Sequence, residues 1–188
     1  LDILKSATSG DLTITGNGIT NTILDGGAID RVIDFNPAGS GAASILTVQN
    51  LRIMNGMVNG DGGGIRSRHH SRPPVVVLNC LIDHNRTGAG FGGGGIASFN
   101  ILDVNSLNVR YSTVTANSAG GPGGGVYGHA YIDWTTVSNN HATGSGGGLY
   151  ASGDIQIVAS TFSGNTSDAH GGGIYSFGSS LGTMGITV

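Results

Sequence analysis

The chain has 188 residues, of which 38% are hydrophobic and only 10% are charged, with a formal net charge of −3. This profile excludes a highly charged disordered chain and disfavours electrostatic binding to nucleic acid or to anionic lipid. Glycine accounts for 36 residues, and because an interior glycine costs an α-helix about 1 kcal/mol relative to alanine, the composition disfavours a helical protein.

The first 45 residues are predicted to form the divergent N-terminal coils of a β-structure. Apolar residues occur there in close pairs, separated by segments rich in Gly, Asn and Thr. The pairs predict three short strands, which contain Leu12 and Ile14, Ile23 and Leu24, and Val32 and Ile33.

Residues 46–188 contain a repeat that is built around glycine. Five glycine triplets, at spacings of 31, 30, 23 and 25 residues, are each followed directly by an aliphatic residue. These aliphatic residues are Ile65, Ile96, Val126, Leu149 and Ile174. A second aliphatic set stands upstream of the triplets at corresponding positions: Val48, Val77, Val109, Ile132 and Ile157.

The segments around these positions have the pattern of short strands. "LTVQNLRI" and "LNVRYSTV" nearly alternate apolar and polar residues and are rich in Val, Leu and Thr. The first repeat is therefore predicted to hold three strands, near Leu46–Val48, Leu51–Ile53 and Ile65–Ser67.

Three short strands in each unit of about 23 to 32 residues predict an all-β fold, a right-handed parallel β-helix of about six coils. Residues 1–188 are predicted to form one such solenoid domain. Equivalent strands of successive coils pair, so the two aliphatic sets become internal columns that no coil can bury alone. In "MGITV", Met184 and Ile186 take the positions of Leu107 and Val109, which predicts the start of a further coil.

A polar column follows the second strand of each unit, at Asn85, Asn117, Asn140 and Asn165. Asn tolerates left-handed backbone, so we expect these residues to form the turn between the second and third strands in that conformation. Stacked Asn side chains also form hydrogen-bonded ladders. The sequence therefore predicts a structural asparagine ladder along the solenoid.

Aromatic residues form a further column, because Tyr127, Tyr150 and Tyr175 each follow a glycine-triplet aliphatic residue. We expect these three rings to stack on the outer face, either as a stabilising stripe or as a platform for a sugar. Tyr111, Tyr131 and Trp134 are the other candidates for exposed, glycan-binding aromatic residues.

The repeats resemble those of bacterial cell-surface proteins. "LTITGNGITNTILDGGAIDRVIDF", "LTVQNLRIMNG" and the "GGGI" units, alternating with "STVTANSA" and "STFSGNTS", are similar to polymorphic outer-membrane-type and autotransporter-passenger-like β-helix repeats. The resemblance extends from about Asp11 to Val188. It implies an exported protein with a cell-surface or extracellular location, and the fold it shares with pectate-lyase-like proteins.

Catalysis is the alternative, since many β-helix proteins are polysaccharide lyases or hydrolases that use clustered carboxylates. Asp25, Asp30 and Asp34 lie close together in the sequence, with Arg31 among them. The same residues also suit a solvated turn. The acid pairs of pectin hydrolases and the calcium-binding aspartates of pectate lyases are not recognisable, so no catalytic, cofactor-binding or metal-binding residue is predicted.

Three further features have structural interpretations. His69 and His70 are a conceivable metal pair, but adjacent residues of an extended chain point in opposite directions, which favours a surface loop. Asp83 and His84 occupy positions that vary between repeats, so we expect them to face outward. Cys80, the one cysteine, is expected to be a buried structural thiol.

The predicted function is that of a non-catalytic extracellular structural or adhesive module. Subunits that stack end to end through open β-helix ends would form a surface fibre. There are two alternatives. One is a polysaccharide lyase or hydrolase, and the other is a module that binds a cell-surface or extracellular glycan. Nucleic acid, a membrane span and a cofactor are not expected. The variable loops at residues 66–74, 87–92, 97–106 and 176–183 are the candidate recognition segments.

Overall fold

The computed structural model describes residues 2–5, 11–37, 44–68, 75–99, 107–153, 155–177 and 185–187. Within these ranges the chain forms 25 β-strands, and none of its elements is a helix that could cross a membrane. Every strand pairing is parallel and joins a strand to its counterpart in the next coil. The protein is therefore a parallel β-helix, which confirms the predicted fold class.

The strands form four sheets, numbered here in the order in which the chain visits them within a coil. Sheet 1 contains β2 (Leu12–Thr15), β5 (Leu46–Gln49), β9 (Val75–Leu78), β13 (Leu107–Arg110), β17 (Ala130–Asp133), β21 (Ile155–Val158) and β25 (Gly185–Thr187). Sheet 2 contains β3 (Ile23–Asp25), β6 (Arg52–Met54), β10 (Leu81–Asp83), β14 (Thr113–Thr115), β18 (Thr136–Ser138) and β22 (Thr161–Ser163).

The other two sheets complete each coil. Sheet 3 contains β7 (Met57–Val58), β11 (Arg86–Ala89), β15 (Ser118–Gly120), β19 (His141–Ala142) and β23 (Thr166–Ser167). Sheet 4 contains β1 (Asp2–Lys5), β4 (Ile33–Pro37), β8 (Ile65–Ser67), β12 (Ile96–Ser98), β16 (Val126–Tyr127), β20 (Leu149–Ala151) and β24 (Ile174–Ser176). The six strands of sheet 2 are separated by five turns of the solenoid, which is close to the predicted number of about six coils.

Sheets 1, 2 and 4 contain the three strands predicted for each coil, whereas sheet 3 was predicted to be part of a turn. Its strands have only two to four residues, too few to show an alternating pattern in the sequence. Backbone hydrogen bonds nevertheless hold them in register, such as those from Arg86 N to Gly56 O and from Ser118 N to Asn85 O. At the C-terminal side, Ile186 pairs with Ile157 as expected, while Met184 lies outside the described residues.

The core consists of aliphatic columns that parallel pairing places about 4.8 Å apart along the axis. In sheet 1 the column contains Val48, Val77, Val109, Ile132 and Ile157, all of which are buried. In sheet 4 the column contains Ile65, Ile96, Val126 and Leu149, which are buried, and Ile174, which is partly buried. Each residue covers the equivalent residue of the next coil, so stacking alone excludes water from the interior.

The glycine triplets allow adjacent coils to approach each other closely. Gly93 begins one triplet with φ at +67°, a left-handed conformation that L side chains rarely adopt. A Cβ atom on the next residue, Gly94, would clash with the carbonyl oxygen of Gly124 in the following coil. The triplet thus turns the chain into sheet 4 while it stacks on the triplet of its neighbour.

The predicted asparagine ladder is confirmed, and its members are buried or half-buried. The Nδ2 and backbone N–H groups of Asn85 both donate to Asn117 Oδ1, at 3.0 Å each. The same pair of bonds links Asn117 to Asn140 and Asn140 to Asn165. Each side-chain amide also donates to a carbonyl of the preceding coil, as Asn117 Nδ2 does to Ile82 O at 3.0 Å.

The expectation that the ladder residues themselves are left-handed was wrong. The left-handed residues are those directly before them: Asn55, His84, Ala116, Asn139 and Gly164, with φ between +54° and +62°. The ladder side chain has to point inward and along the axis, so the sharp reversal of the backbone takes place one residue earlier.

A second polar ladder occupies the corner between sheets 1 and 2. The backbone N–H of Cys80 donates to Ser112 Oγ, that of Ser112 to Thr135 Oγ1, and that of Thr135 to Ser160 Oγ. In each case the acceptor lies one coil further on. Cys80 is 3% exposed, as expected for a structural thiol, and burial raises the pKa of its thiol.

We predict that Asn117→Ala lowers the free energy of unfolding by about 3 kcal/mol or more, because it leaves several buried hydrogen-bonding groups without a partner at about 1–3 kcal/mol each. Urea unfolding followed by circular dichroism measures this loss. The matched control is Asn108→Ala in the same coil, where the half-buried side chain lies on the outer side of sheet 1. Equal losses in the two variants would contradict the structural role of the ladder.

Candidate functional site

The tyrosine column on the outer face of sheet 4 forms a continuous stack. Tyr127 and Tyr150 have ring centroids 5.2 Å apart with an interplanar angle of 4°, and Tyr150 and Tyr175 are 5.5 Å apart at 17°. Phe99 packs against Tyr127 at 5.3 Å, and His170 stacks on Tyr175 at 6.1 Å. Burial, together with the neighbouring Tyr150 and Asp61, raises the pKa of Tyr127. The ring faces are largely occupied by one another, which leaves mainly ring edges for a ligand.

Asp34, one of the candidate catalytic carboxylates, is held by three arginines. Arg66 donates to both carboxylate oxygens, Arg31 Nη1 lies 3.3 Å from Oδ2, and Arg68 Nη2 lies 3.5 Å from the same atom. Burial opposes ionisation of Asp34, but the hydrogen bond from Arg66 and the arginine charges outweigh it, so the pKa of Asp34 is lowered. A carboxylate in this setting stays ionised and is poorly suited to act as a general acid.

The other two candidate carboxylates have separate partners. Asp25 accepts hydrogen bonds from Gly27 N at 2.8 Å and from Asn55 Nδ2 at 3.2 Å, so it stabilises a turn. Asp30 accepts the backbone N–H of the adjacent Arg31 at 2.7 Å. The structure therefore gives Asp25, Asp30 and Asp34 three different local roles.

Asp83 forms the second ion-pair cluster, together with Arg52 of the preceding coil and the adjacent His84. Arg52 Nε lies 2.8 Å from Asp83 Oδ1, and His84 Nδ1 lies 2.6 Å from Oδ2. His84 is exposed as expected. Asp83 is in register with Thr115 and so lies on the outer side of sheet 2 as expected, but it is only 2% exposed. The reason is that Arg52 and His84 cover the carboxylate, a contact between coils that the alignment of repeats does not reveal.

A groove of about 790 Å³ runs along sheet 3. Its lining includes small residues such as Gly88 and Ser118 and the polar side chains of Arg86 and His141. His141 Nδ1 lies 3.1 Å from Thr166 Oγ1. The described residues that line the groove include no carboxylate, so an acid–base pair for glycoside cleavage is not brought together there.

The three remaining candidate aromatic residues lie on sheet 1 or at its corner with sheet 2. Tyr111 is 52% exposed and Trp134 is 63% exposed, while Tyr131 is half-buried. Arg110 lies over the rings of Tyr111 and Tyr131, at 5.7 and 5.9 Å from their centroids. These residues are thus a separate aromatic site from the tyrosine stack.

The other residues that the sequence suggests for metal binding or recognition have little support in the described part of the structure. Among the described residues, no group of three or more His, Cys or Asp side chains could hold a metal ion. His69 and His70 lie outside the described residues, as does most of the candidate loops at 66–74, 97–106 and 176–183. The described loop at 87–92 consists of the end of β11 and a turn.

The fold and its ladders define a class of protein, the parallel β-solenoids with buried asparagine stacks. A family model, the Chlamydia polymorphic membrane protein repeat, matches residues 135–152 and 159–176. Each matched segment contains a ladder asparagine, a glycine triplet and a stacked tyrosine. The match confirms the resemblance inferred from the sequence. No curated protein and no solved structure matches the chain significantly.

The Arg52–Asp83 pair predicts a specific acid sensitivity. Burial opposes ionisation of Asp83, yet hydrogen bonds from Arg52 and His84 lower its pKa below the ordinary value of 3.8. A carboxylate whose pKa is lower in the folded state stabilises that state at pH values above its unfolded-state pKa. This stabilisation is lost as the pH falls through the folded-state pKa. Asp83→Asn should therefore be less stable than the original chain at pH 7, and the difference should shrink below about pH 4.

Urea unfolding at several pH values between 7 and 2 measures this difference in the free energy of unfolding. Asp168→Asn, which removes an exposed carboxylate 3.7 Å from His141, is the matched control. A difference between the Asp83 variant and the original chain that is constant across this range would show that the charge of Asp83 does not stabilise the fold.

Proposed function

We propose that this chain is a non-catalytic β-helix module with a surface-exposed location and an adhesive role. The observation that carries the proposal is the use of repeated polar residues inside the solenoid, where the asparagine and hydroxyl ladders link one coil to the next. These groups build a rigid rod and leave its outer faces to differ between coils. The match to a membrane-protein repeat supports a location at the outer membrane or cell surface.

A polysaccharide lyase or hydrolase is the second candidate, because the groove along sheet 3 has the open shape that such enzymes need. The chain contains no glutamate, so a catalytic pair would consist of aspartates. Asp34 and Asp83 are already bound by arginines, and Asp25 stabilises a turn. These contacts favour the adhesive role over the catalytic one.

End-to-end association of subunits is a further proposal about how the module works. Within the described residues, β3 and β22 of sheet 2 each pair on one side only. Leu24 and Phe162, which belong to these strands, are only partly buried. Unpaired strand edges recruit other strands, and a head-to-tail contact of this kind builds a filament.

The adhesive role predicts that beads coated with the purified chain attach to cultured cells and to immobilised extracellular matrix. Beads coated with the urea-unfolded chain are the matched control, since they carry the same residues without the solenoid. Equal attachment of the two bead types would contradict the proposal. Release of new sugar ends when the chain is incubated with polysaccharides would favour the enzyme instead.

End-to-end association predicts that the sedimentation coefficient of the chain rises with concentration, and that electron micrographs show rods of increasing length. Leu24→Asp should suppress this growth, because it places a charge on the terminal face of sheet 2. Thr13→Asp, at an exposed position of β2, is the control. A single short rod at all concentrations would contradict end-to-end association and leave the adhesive role to be tested separately.

A further inference from the structure

Two large aromatic residues take a backbone conformation that such residues rarely adopt. Tyr111 has φ at +50° and Trp134 has φ at +46°. They occupy the corner after sheet 1, where Asn50 and Asn79 stand in two preceding coils, with φ at +57° and +51°, and Ala159 stands in the following coil, with φ at +44°. Asn tolerates this left-handed conformation far better than a bulky side chain. The scaffold therefore does not require an aromatic residue here, and the strained backbone points to a role in binding.

Both rings are presented to the solvent in adjacent coils. Tyr111 and Trp134 directly follow the register-paired residues Arg110 and Asp133, so their backbones lie about 4.8 Å apart along the axis. More than half of each residue is exposed. Within the described part of the chain neither ring stacks on another aromatic ring, in contrast to Tyr150, which lies between two tyrosines.

An ion pair fixes the base of this corner without adding net charge. Arg110 Nε lies 3.1 Å from Asp133 Oδ2, and the guanidinium group packs over the Tyr111 ring. The Asp133 side chain is 7% exposed. The ion pair thus holds the Tyr111 ring in place, and the charges of Arg110 and Asp133 compensate each other.

The neighbouring face of sheet 2 is covered with hydroxyl groups. In three successive coils its outward positions are occupied only by Thr or Ser: Thr113 and Thr115, Thr136 and Ser138, Thr161 and Ser163. Thr113 and Thr136 follow Tyr111 and Trp134 by two residues each. Thr115 and Ser138 share a hydrogen bond of 3.1 Å, and every such hydroxyl can both donate and accept.

We propose that this corner, which consists of Tyr111, Trp134 and the adjoining hydroxyl face, is a binding site for a neutral glycan. The apolar C–H face of a pyranose ring packs on the exposed ring of Trp134, and its hydroxyls exchange hydrogen bonds with Thr113 and Thr136. The inference rests on the proposed adhesive function, and it names the ligand class and the site.

The chemistry of the corner favours a sugar over a protein or an acidic polymer. A stable protein interface buries about 800 Å² on each partner around a largely apolar centre, whereas two rings beside hydroxyl-bearing residues offer only a small apolar area. An acidic polysaccharide would require uncompensated cations, and Arg110 is paired with Asp133. A pyranose ring has one apolar face and a polar edge, which matches a ring placed beside hydroxyls.

Trp134 is the one tryptophan of the chain, so intrinsic fluorescence reports directly on this site. We expect that one or more of a panel of neutral oligosaccharides (cello-, xylo-, manno-, galacto- and chito-oligomers) shifts and saturates this fluorescence, whereas heparin and polygalacturonate do not. Affinity electrophoresis in gels that contain the corresponding polysaccharide then measures the dissociation constant of each variant.

The decisive variant is Trp134→Asn, because Asn is the residue that two preceding coils use at this left-handed corner. It should fold, melt at or above the temperature of the original chain, and bind the glycan about tenfold more weakly or worse. Tyr111→Asn should weaken binding in the same way. Tyr150→Leu, in the tyrosine stack, is the control and should retain the affinity of the original chain even if its melting temperature falls.

The proposal is overturned if no neutral oligosaccharide in the panel shifts the fluorescence, if only the acidic polymers bind, or if Trp134→Asn binds as tightly as the original chain. The bead assay separates this outcome from failure of the adhesive role. Beads that carry Trp134→Asn and still attach fully would refute a role of the glycan site in adhesion and leave the adhesive role itself intact. Glycan binding without attachment of beads that carry the original chain would refute adhesion and support the site.

Discussion

The side-chain amides of Asn85, Asn117, Asn140 and Asn165 link consecutive coils through bonds that neither backbone nor aliphatic packing supplies. The amide oxygens of Asn117, Asn140 and Asn165 each accept two N–H groups of the asparagine in the preceding coil, and Asn85 Oδ1 accepts the backbone N–H of Gly56. Each amide nitrogen also donates to a carbonyl of the preceding coil. Buried donors and acceptors that are satisfied only in one register penalise every other register. The aliphatic columns are less selective, since a slip of about two residues keeps the side chains of Val and Ile on the core face. The ladder therefore sets the alignment on which the other columns depend.

This constraint explains which parts of the fold the sequence predicts well. A parallel solenoid stacks equivalent positions, so a residue needed in one coil reappears in the next, and the columns through Val109 and Val126 are visible by alignment alone. Sheet 3 was missed because strands such as His141–Ala142 are too short to show alternation. The left-handed residue was placed one position late, since the alignment identifies the ladder asparagine but not the backbone turn before it.

The functional surface is harder to predict because it depends on differences between coils. Asp83 looks like a variable surface position until the contact with Arg52 of another coil is known. Likewise, Tyr127 and Trp134 are both aromatic residues at outward positions of the repeat. In the structure one ring is covered by a neighbour one coil away and the other is open. The alignment of repeats predicted the tyrosine stack, whereas the exposed fraction of Trp134 is seen only in the structure.

The separation between a stabilising interior and variable corners gives a physical reason why a glycine-rich solenoid can carry a binding site at its corners. Stability resides in the ladders and in the aliphatic columns, which are shared between coils, so one strained corner costs little relative to the whole. A corner position such as Trp134 lies outside the core, and its backbone conformation is imposed by the hydrogen-bonded strands on either side. The backbone of an aromatic residue there is fixed in advance, so only side-chain entropy is lost when a ligand binds. The rigid solenoid thus preorganises the backbone of its binding surface.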